Sequence, residues 1–307
     1  MILFQARDII KDYAAHRALD KVSISVKEGQ VHGLLGPNGA GKTTMIRIIN
    51  QITAPDEGKL FFEGRPMRPD DIHQIGYLPE ERGLYKKMKV GEQALYFAQL
   101  KGLSRHDALK NLKTWFEKFG IQAWWNKKVE ELSKGMQQKV QFITTVVHKP
   151  RLLIFDEPFS GFDPINANLL KQEILNLRNE GATIIFSTHN MASVEELCDH
   201  ISLVNQSKKI VDGPIRELKE QYKNHEFEIQ YKGNDNDFTR LLGNDFRIIE
   251  HRQEEQSNIL KVQHLNGKSN NELLQKLMQQ IEIVSFQELI PSMNEVFIKV
   301  VEEANQK

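Results

Sequence analysis

The sequence predicts an α/β domain built on a mainly parallel sheet, followed by a smaller α+β domain. Short apolar strands, "VHGLL" (31–35), "RLLIF" (151–155) and "TIIFS" (183–187), alternate with helical stretches such as "KTTMIRIIN" and "ANLLKQEILNLRN". Such alternation favours a parallel sheet covered by helices. This pattern ends near residue 221, so we expect one domain over 1–221 and a second over 222–307.

The second domain begins with the strand "FEIQY", in which Phe227, Ile229 and Tyr231 share one face. The elements predicted after it are strand over 245–263, a helix over "NNELLQKLMQQI", a strand over "IEIVSF" and a helix entered at Pro291. The segment "HRQEEQ" is interpreted as an exposed turn, and the charged residues are scattered as on solvated faces. This domain carries no catalytic pattern, so a dimerisation or regulatory module and an inert appendage are both open.

Composition and charge describe an ordinary soluble chain. The 307 residues include 41 basic and 41 acidic side chains, so nothing global indicates a nucleic-acid or anionic-membrane partner. Cys198 is the only cysteine, which excludes an intrachain disulfide and favours a reducing, cytoplasmic setting, and its thiol is expected to pack rather than react. No apolar run approaches the ~18 residues that span a bilayer. The N-terminal stretch reaches Arg7 and Asp8 too early for a signal peptide.

A phosphate-binding loop is predicted at "GPNGAGKTT" (36–44), which fits the pattern G-x-x-x-x-G-K-[ST] between a strand and a helix. Its glycines allow turns that point successive N–H groups at phosphate oxygens. Lys42 can reach the outer phosphates, and Thr43 can ligate Mg²⁺. The predicted nucleotide-binding residues of this loop are Gly36, Pro37, Asn38, Gly39, Ala40, Gly41, Lys42, Thr43 and Thr44.

Polar side chains follow two of the predicted strands. In "RLLIFDEP", Asp156 and Glu157 come directly after a buried strand, where a parallel sheet places its ligand crevice. Asp156 can hold a metal ion, and Glu157 can polarise a water molecule and receive its proton. His189 in "IIFSTHN" follows another strand and can hydrogen-bond an outer phosphate. Together with the phosphate-binding loop, these residues predict nucleotide hydrolysis.

The segment "ELSKGMQQKVQF" (131–142) resembles the signature loop of ATP-binding-cassette (ABC) ATPases, usually written L-S-G-G-Q, with Leu132, Ser133 and Gly135 matching. A serine at a helix N-cap and a glycine that allows backbone approach are features of an anion-binding site. The residues assigned to the signature, which would act across a dimer, are Ser133, Lys134, Gly135 and Met136.

The resemblance covers about residues 1 to 220, with the motifs in the family's order. It implies a P-loop NTPase fold of the ABC type, with an antiparallel β subdomain and a helical signature subdomain. Tyr13 matches the aromatic residue that stacks on adenine, and Asp163 in "FSGFDP" matches the aspartate of the dimer loop. In the family two cassettes pair head to tail around two ATP, so a homodimer or a paired cassette is implied.

The segment "GYLPEERGLYK" (76–86) looks like the family's loop that carries a glutamine, and Glu80 stands at that position. The resemblance implies that Glu80 contacts Mg²⁺ and the attacking water, as a metal ligand and a catalytic residue. The same loop lines the groove where the membrane subunit docks. Glu81 and Arg82 are interpreted as solvated residues or as parts of that groove.

Among ABC proteins, the chain looks like the stand-alone ATPase subunits of two-gene exporters of the sodium- and drug-efflux type. This implies a separate permease, a place on the inner face of the cell membrane, and an open choice of cargo. A soluble ABC ATPase acting on ribosomes or DNA is the alternative. The single cassette, without a long coiled coil between Lys42 and Met136, disfavours it. The presence of Glu157 and His189 disfavours a non-hydrolysing scaffold.

Overall fold

The computed structural model describes residues 1–14, 16–81, 83–233, 238–253, 257–265, 267 and 269–306. The chain divides into two compact units, Met1–Ile215 with Val300–Lys307, and Arg216–Lys299. The boundary expected between residues 221 and 222 remains a prediction. Two of the residue interpretations made from the sequence concern positions outside the described residues. These positions are Arg82 and the last three residues of "HRQEEQ".

The first unit alternates strands and helices along the chain. Its elements are β1 (Ile2–Tyr13), β2 (His16–Lys27), β3 (Val31–Leu35), α1 (Lys42–Ile49), β4 (Glu57–Phe62), β5 (Arg65–Pro66), β6 (Ile75–Leu78), α2 (Val90–Leu100), α3 (Arg105–Lys118), α4 (Lys134–Val146), β7 (Leu152–Asp156), α5 (Pro164–Asn179), β8 (Thr183–Ser187), α6 (Met191–Leu197), β9 (His200–Asn205) and β10 (Lys208–Pro214). Short 3₁₀ helices lie at Pro69–Gln74, Gln122–Trp124 and Val129–Glu131.

The described strands form a six-stranded sheet in the order β10-β9-β3-β8-β7-β6, in which every neighbouring pair is parallel except β10 and β9. Every residue of β3, β7 and β8 is buried, as expected of central strands covered on both faces. Leu34 and Asp156 both lie in register with Ser187. The segments that follow these three strands therefore emerge at one edge of the sheet. The mainly parallel core predicted from the sequence is confirmed.

A second sheet, in the order β2-β1-β4-β5, is antiparallel. Its apolar side chains share one hydrophobic core with the parallel sheet and with α1. This core includes Phe4, Leu19, Ile46, Phe62 and Ile154. The sheet corresponds to the antiparallel β subdomain that the resemblance implies.

The helices α2, α3 and α4 pack together as a helical region of the first unit. Trp115 of α3 and Phe119, which follows the last residue of α3, lie against Phe142 of α4, with ring centroids 6.0 and 5.7 Å away. Phe142 in turn lies 5.6 Å from Phe155 of β7. This aromatic chain fixes the helix that starts at the signature loop against the strand that carries Asp156.

The second unit is a small α+β fold. With the connecting helix, its elements are α7 (Ile215–Gln221), β11 (Glu226–Lys232), α8 (Phe238–Leu242), a 3₁₀ helix (Gly243–Asp245), β12 (Phe246–Gln253), β13 (Asn258–His264), α9 (Asn270–Met278), β14 (Glu282–Leu289) and the first part of α10 (Met293–Asn305), whose residues from Val300 onward belong to the first unit. The described strands pair antiparallel in the order β12-β13-β11-β14. The alternate residues Phe227, Ile229 and Tyr231 are buried in its core, as predicted.

The last helix begins later than expected. The sequence suggested entry at Pro291, but α10 starts at Met293. Ser292 precedes it, and its Oγ accepts from the Glu295 N–H at 3.3 Å, while the Ser292 N–H donates to Glu295 Oε2 at 2.7 Å. This reciprocal cap ends the extended segment at Ser292 and starts the helix one residue later.

The structure also bears on the predictions made for Cys198 and for membrane-spanning segments. Cys198 follows α6 and is buried, and burial raises the pKa of its thiol, in keeping with a packing role. Across the part of the chain that the structure describes, no helix combines the length and apolarity needed to cross a bilayer.

A stability prediction follows from Gly76 in β6. A Cβ at this position would lie 2.5 Å from the Thr145 carbonyl oxygen and within 3.0 Å of Leu153 and Pro150. Gly76→Ala is therefore expected to lower the free energy of unfolding by about 1–3 kcal/mol, because strand and helix must separate. The matched control is Gly83→Ala, whose added Cβ meets no atom within 4 Å. Thermal melting of both variants checks this, and equal melting temperatures would contradict it.

Candidate active site

A cavity of about 350 Å³ lies at the edge of the parallel sheet where β3, β7 and β8 end. Its lining residues are Tyr13, His16, Ala18, Asn38, Gly39, Gly41, Lys42, Thr43, Thr44, Glu80, Asp156, Glu157 and His189. All of them except His16 and Ala18 were candidate site residues in the sequence. The structure thus brings together the glycine-rich loop, the two carboxylates after β7, the histidine after β8 and Glu80.

The loop between β3 and α1 depends on two glycines that touch other backbone segments. Gly36 has a φ of +150°, and a Cβ there would clash with the Val204 carbonyl oxygen. Gly41 has a φ of +112°, and a Cβ there would clash with the Ala18 carbonyl oxygen. Gly39 is different, because its Cβ position is open and the residue lines the cavity. The loop is therefore fixed at both ends and open in the middle.

Lys42 is the first residue of α1 and is only 8% exposed. Its Nζ donates to the carbonyl oxygens of Gly36 at 2.7 Å and Pro37 at 3.0 Å, so the side chain folds back across the loop. Burial lowers the pKa of this ammonium, and the nearby carboxylates oppose that shift. The ammonium therefore lies within electrostatic reach of the carboxylates of Glu157, Asp156 and Glu80.

Asp156 ends β7 and is 4% exposed. Burial, with the negative charges of Glu80 and Glu157, raises the pKa of its carboxyl to about 6. The cavity thus contains three carboxylates. Among the described residues that line it, Lys42 is the only permanent cation. Carboxylate and hydroxyl oxygens at such a place are the ligands that Mg²⁺ prefers. The donor set fits a divalent cation bound together with a phosphate chain.

Glu157 is held by the segment that follows β8. Its Oε2 accepts from Thr188 Oγ1 at 2.9 Å, and its Oε1 accepts from the His189 N–H at 2.9 Å. The Nδ1 atom of the His189 ring lies 2.6 Å from the same Oε1, so with an ionised carboxylate Nδ1 is the donor. The carboxylate is 15% exposed and the imidazole 70% exposed. Glu157 also has a φ of +48°, an uncommon conformation for a non-glycine residue.

Comparison with known proteins agrees with this geometry. The family model described as "ABC transporter" matches residues 19–160, and the model described as "ATP-binding protein DrrA1-3-like, C-terminal domain" matches residues 213–301. The ABC transporter ATP-binding protein YhaQ of Bacillus subtilis (strain 168) is 42% identical over 95% of this chain and 96% of its own length.

The chain belongs to the ABC transporter ATP-binding proteins. NatA, also of Bacillus subtilis, is 36% identical over 66% of this chain and 85% of its own length. A solved ATP-binding subunit of an ABC transporter is 29% identical, with a TM-score of 0.67 over 72% of this chain and 93% of that structure. A nucleotide-free ATP-binding cassette is 25% identical, with a TM-score of 0.63 over 72% and 94%.

The predicted ABC-type fold is therefore confirmed, and with it the function of a transporter ATPase that binds and hydrolyses ATP. The likeness to transporter subunits favours this function over the soluble translation- or DNA-associated alternative. The likeness to transporter ATP-binding subunits implies a membrane permease as the partner of this ABC ATPase.

The residues predicted to form the signature lie at the start of α4. Ser133 is the N-cap, as expected, and its Oγ accepts from the Met136 N–H at 3.3 Å. Lys134 and Gly135 form the first turn of the helix, and the Cβ position of Gly135 lies 3.8 Å from the Phe162 ring. None of these four signature residues lines the cavity of the same chain.

Asp163 also lies outside the cavity lining and has a clear local contact. It is the N-cap of α5, and its Oδ1 accepts from the N–H groups of Ile165 and Asn166, each at 3.0 Å. Aspartate followed by proline at the first helical position is a sequence signal for such a cap. The structure thus gives Asp163 a capping role, and the dimer-loop role implied by the resemblance stays a prediction.

Two residues of the cavity were missed by the sequence analysis. His16 is paired with Tyr13 across the turn between β1 and β2, and Ala18 lies two residues further along β2. Tyr13 itself is 42% exposed at the cavity, with Lys11 Nζ 5.6 Å from its ring centroid. A hairpin signal directly after Tyr13 would have placed His16 beside it.

The geometry around Lys42 predicts a loss of nucleotide affinity in Lys42→Ala. Removing the ammonium removes a charge-assisted contact worth about 1.5–3 kcal/mol, so the Kd for ATP should rise roughly tenfold to a hundredfold. Calorimetric titration with ATP measures this. Lys113→Ala, which removes one positive charge from α3 where the side chain is 78% exposed, is the matched control. Unchanged affinity in Lys42→Ala would contradict the phosphate-loop assignment.

Proposed function

We propose that this ABC ATPase powers export through a separate membrane permease, and that two copies pair head to tail around two ATP. The observation that carries the proposal is the contact set of Glu157. Its carboxylate is held by the segment after β8, in the cavity that also contains Lys42, Asp156 and Glu80. A held carboxylate beside a phosphate-binding loop is the arrangement that hydrolysis requires.

The nucleotide site is assigned residue by residue. Tyr13 stacks on the adenine. The loop 36–41 surrounds the phosphates with N–H groups, and Lys42 contacts the outer phosphates. The hydroxyl of Thr43 and the carboxylates of Asp156 and Glu80 are the side chains that would hold Mg²⁺, as the cavity lining supports. When bound, this ion neutralises charge on the phosphates and acts as a Lewis acid.

Glu157 is the general base that takes a proton from the attacking water. Its two oxygens already accept from Thr188 and His189, so the carboxylate is oriented before any ligand binds. With Nδ1 of His189 donating to Glu157, Nε2 of the same ring is left to contact an outer phosphate. One imidazole thereby contacts both the base and the phosphate and fixes their relative position.

Head-to-tail pairing is supported by the position of the signature. Ser133 and Gly135 stand at a helix N-terminus, a place suited to anions, yet they do not line the cavity of their own chain. A second copy can bring its signature to that cavity. Asp163 takes part in the contact between the copies, in addition to capping α5.

Export is supported by the relatives' names. These include the Nod factor export ATP-binding protein I, the linearmycin resistance ATP-binding protein LnrL and the lantibiotic transport ATP-binding protein SrtF. We place the chain in the cytoplasm, attached to the inner face of the membrane through its permease. The second domain, residues 222–307, acts as a dimerisation or regulatory module, and the permease selects the cargo.

Glu157→Gln is the decisive variant for this function. The amide keeps the shape of the side chain but cannot take a proton, so turnover should fall by roughly 10²–10⁴-fold while ATP affinity stays the same. Steady-state ATPase assays and calorimetry measure the two effects. Gel filtration with ATP should then show an accumulated dimer. Glu180→Gln, at the exposed end of α5, is the matched control. Wild-type turnover in Glu157→Gln would remove Glu157 from the mechanism.

Glu80→Gln tests the departure from the family's glutamine. The substitution replaces a charged oxygen ligand by a neutral one, at a cost near 1.4 kcal/mol, so kcat should stay within roughly tenfold of wild type. The Mg²⁺ concentration for half-maximal activity should rise, because the ligand loses its charge. Complete inactivation would mean that Glu80 does more than supply an oxygen to the metal.

A further inference from the structure

The helix α4 holds the backbone on both sides of Glu80. The Nε2 atom of Gln141 lies 3.4 Å from the Pro79 carbonyl oxygen and 3.3 Å from the Glu81 carbonyl oxygen. A primary amide carries two N–H groups, so one side chain can donate to both carbonyls. The two accepting residues flank Glu80 directly, which ties this exposed residue to the buried amide of Gln141, 60 residues after Glu81 in the chain.

A second glutamine of α4 makes the corresponding contact next to Glu157. Gln138 Nε2 donates to the Pro158 carbonyl oxygen at 3.1 Å, and Pro158 follows Glu157 in the chain. Gln138 and Gln141 are three residues apart, so they lie on one side of the helix. Both are buried, at 4% and 5% exposure, which keeps water from competing for their N–H groups.

The same helix is itself well anchored. Thr145 Oγ1 lies 2.9 Å from the Gln141 carbonyl oxygen of the same helix and 3.3 Å from the carbonyl oxygen of Tyr77, two residues before Pro79. Phe142 packs against Phe155 of β7. The glutamines therefore project from a fixed support, as a side chain must if it is to position a neighbouring loop.

We propose that Gln141 and Gln138 are positioning residues for hydrolysis, with Gln141 setting the place of Glu80 and Gln138 that of Glu157. The inference rests on the proposed function, because the roles of both carboxylates come from it. Neither glutamine lines the cavity, so each acts through the backbone of the carboxylate it holds.

The test for Gln141 measures binding, so it does not depend on turnover. All variants carry Glu157→Gln, and the ATP affinity is measured by calorimetry with Mg²⁺ and with EDTA. Gln141→Met keeps the length of the side chain and loses both donors. It should reduce the gain in ATP affinity due to Mg²⁺ by roughly tenfold. The ATP affinity measured with EDTA should be unchanged. Glu80→Ala should reduce the same gain, and adding Gln141→Met to Glu80→Ala should reduce it no further.

Gln138 is tested by turnover at saturating ATP. Gln138→Met should lower kcat by roughly tenfold to a hundredfold with little change in KM. In the Glu157→Gln background, the residual turnover should not fall further, because the residue through which Gln138 acts is already changed. A further loss of the same size would overturn its positioning role.

The matched control is Asn111→Leu. Asn111 Nδ2 donates to the Val147 carbonyl oxygen at 3.1 Å, so this variant removes an amide contact from the far end of the same helix. Any reduction that Asn111→Leu causes in the Mg²⁺-dependent gain in ATP affinity should add to the reduction caused by Glu80→Ala. If Gln141→Met does not fold, Gln141→Leu gives the same test, because it also removes both donors and adds no charge. Additive effects of either Gln141 variant with Glu80→Ala would overturn the proposal.

Failure of this inference can be told from failure of the proposed function. A wild-type chain without ATPase activity, or without an ATP-dependent dimer in Glu157→Gln, contradicts the function itself. An active wild type combined with additive Gln141 and Glu80 effects contradicts only the positioning by α4.

Discussion

One partly buried ammonium facing three carboxylates is the interaction on which the site depends. Lys42 is 8% exposed, and Asp156, Glu157 and Glu80 all act on its charge. Burial, together with the same crowding of negative charge, raises the pKa of Asp156 to about 6. A partly buried group of like charges is costly unless cations and hydrogen bonds balance it. The loop carbonyls satisfy Lys42, and Thr188 and His189 satisfy Glu157. The remaining negative charge is what a divalent cation bound with a nucleotide would neutralise.

The parallel sheet makes this concentration of charge possible. β3, β7 and β8 run side by side in register, so whatever follows each strand arrives at one edge. The local backbone is then adjusted by steric limits. Gly36 can approach Val204 only because it has no Cβ, and Glu157 adopts a positive φ at the point where its carboxylate meets His189. The fold supplies the position, and a few unusual residues supply the final geometry.

The features that the sequence predicted well are those set by local pattern. β3 and β8 have the predicted bounds, because both are fully buried runs flanked by turns. The start of α10 was misplaced because Ser292, not Pro291, provides the cap. His16 could not be placed without knowing how β1 and β2 pair. Gln141 carried no signal at all, since the carbonyls that it contacts belong to a strand end about 60 residues earlier, which only tertiary packing brings near.

The helix α4 shows how separate motifs of one cassette depend on each other. Its first turn carries the predicted signature, outside the cavity of its own chain. Two of its later residues, Gln138 and Gln141, contact the backbone beside Glu157 and Glu80. Thirteen residues of helix form a stiff rod about 20 Å long, so its start cannot shift far while its middle stays in place. A ligand that holds the signature end of α4 in one position therefore restricts where Glu80 and Glu157 can lie. In a head-to-tail pair, the nucleotide bound in one site would in this way restrict the positions of the carboxylates in the other site.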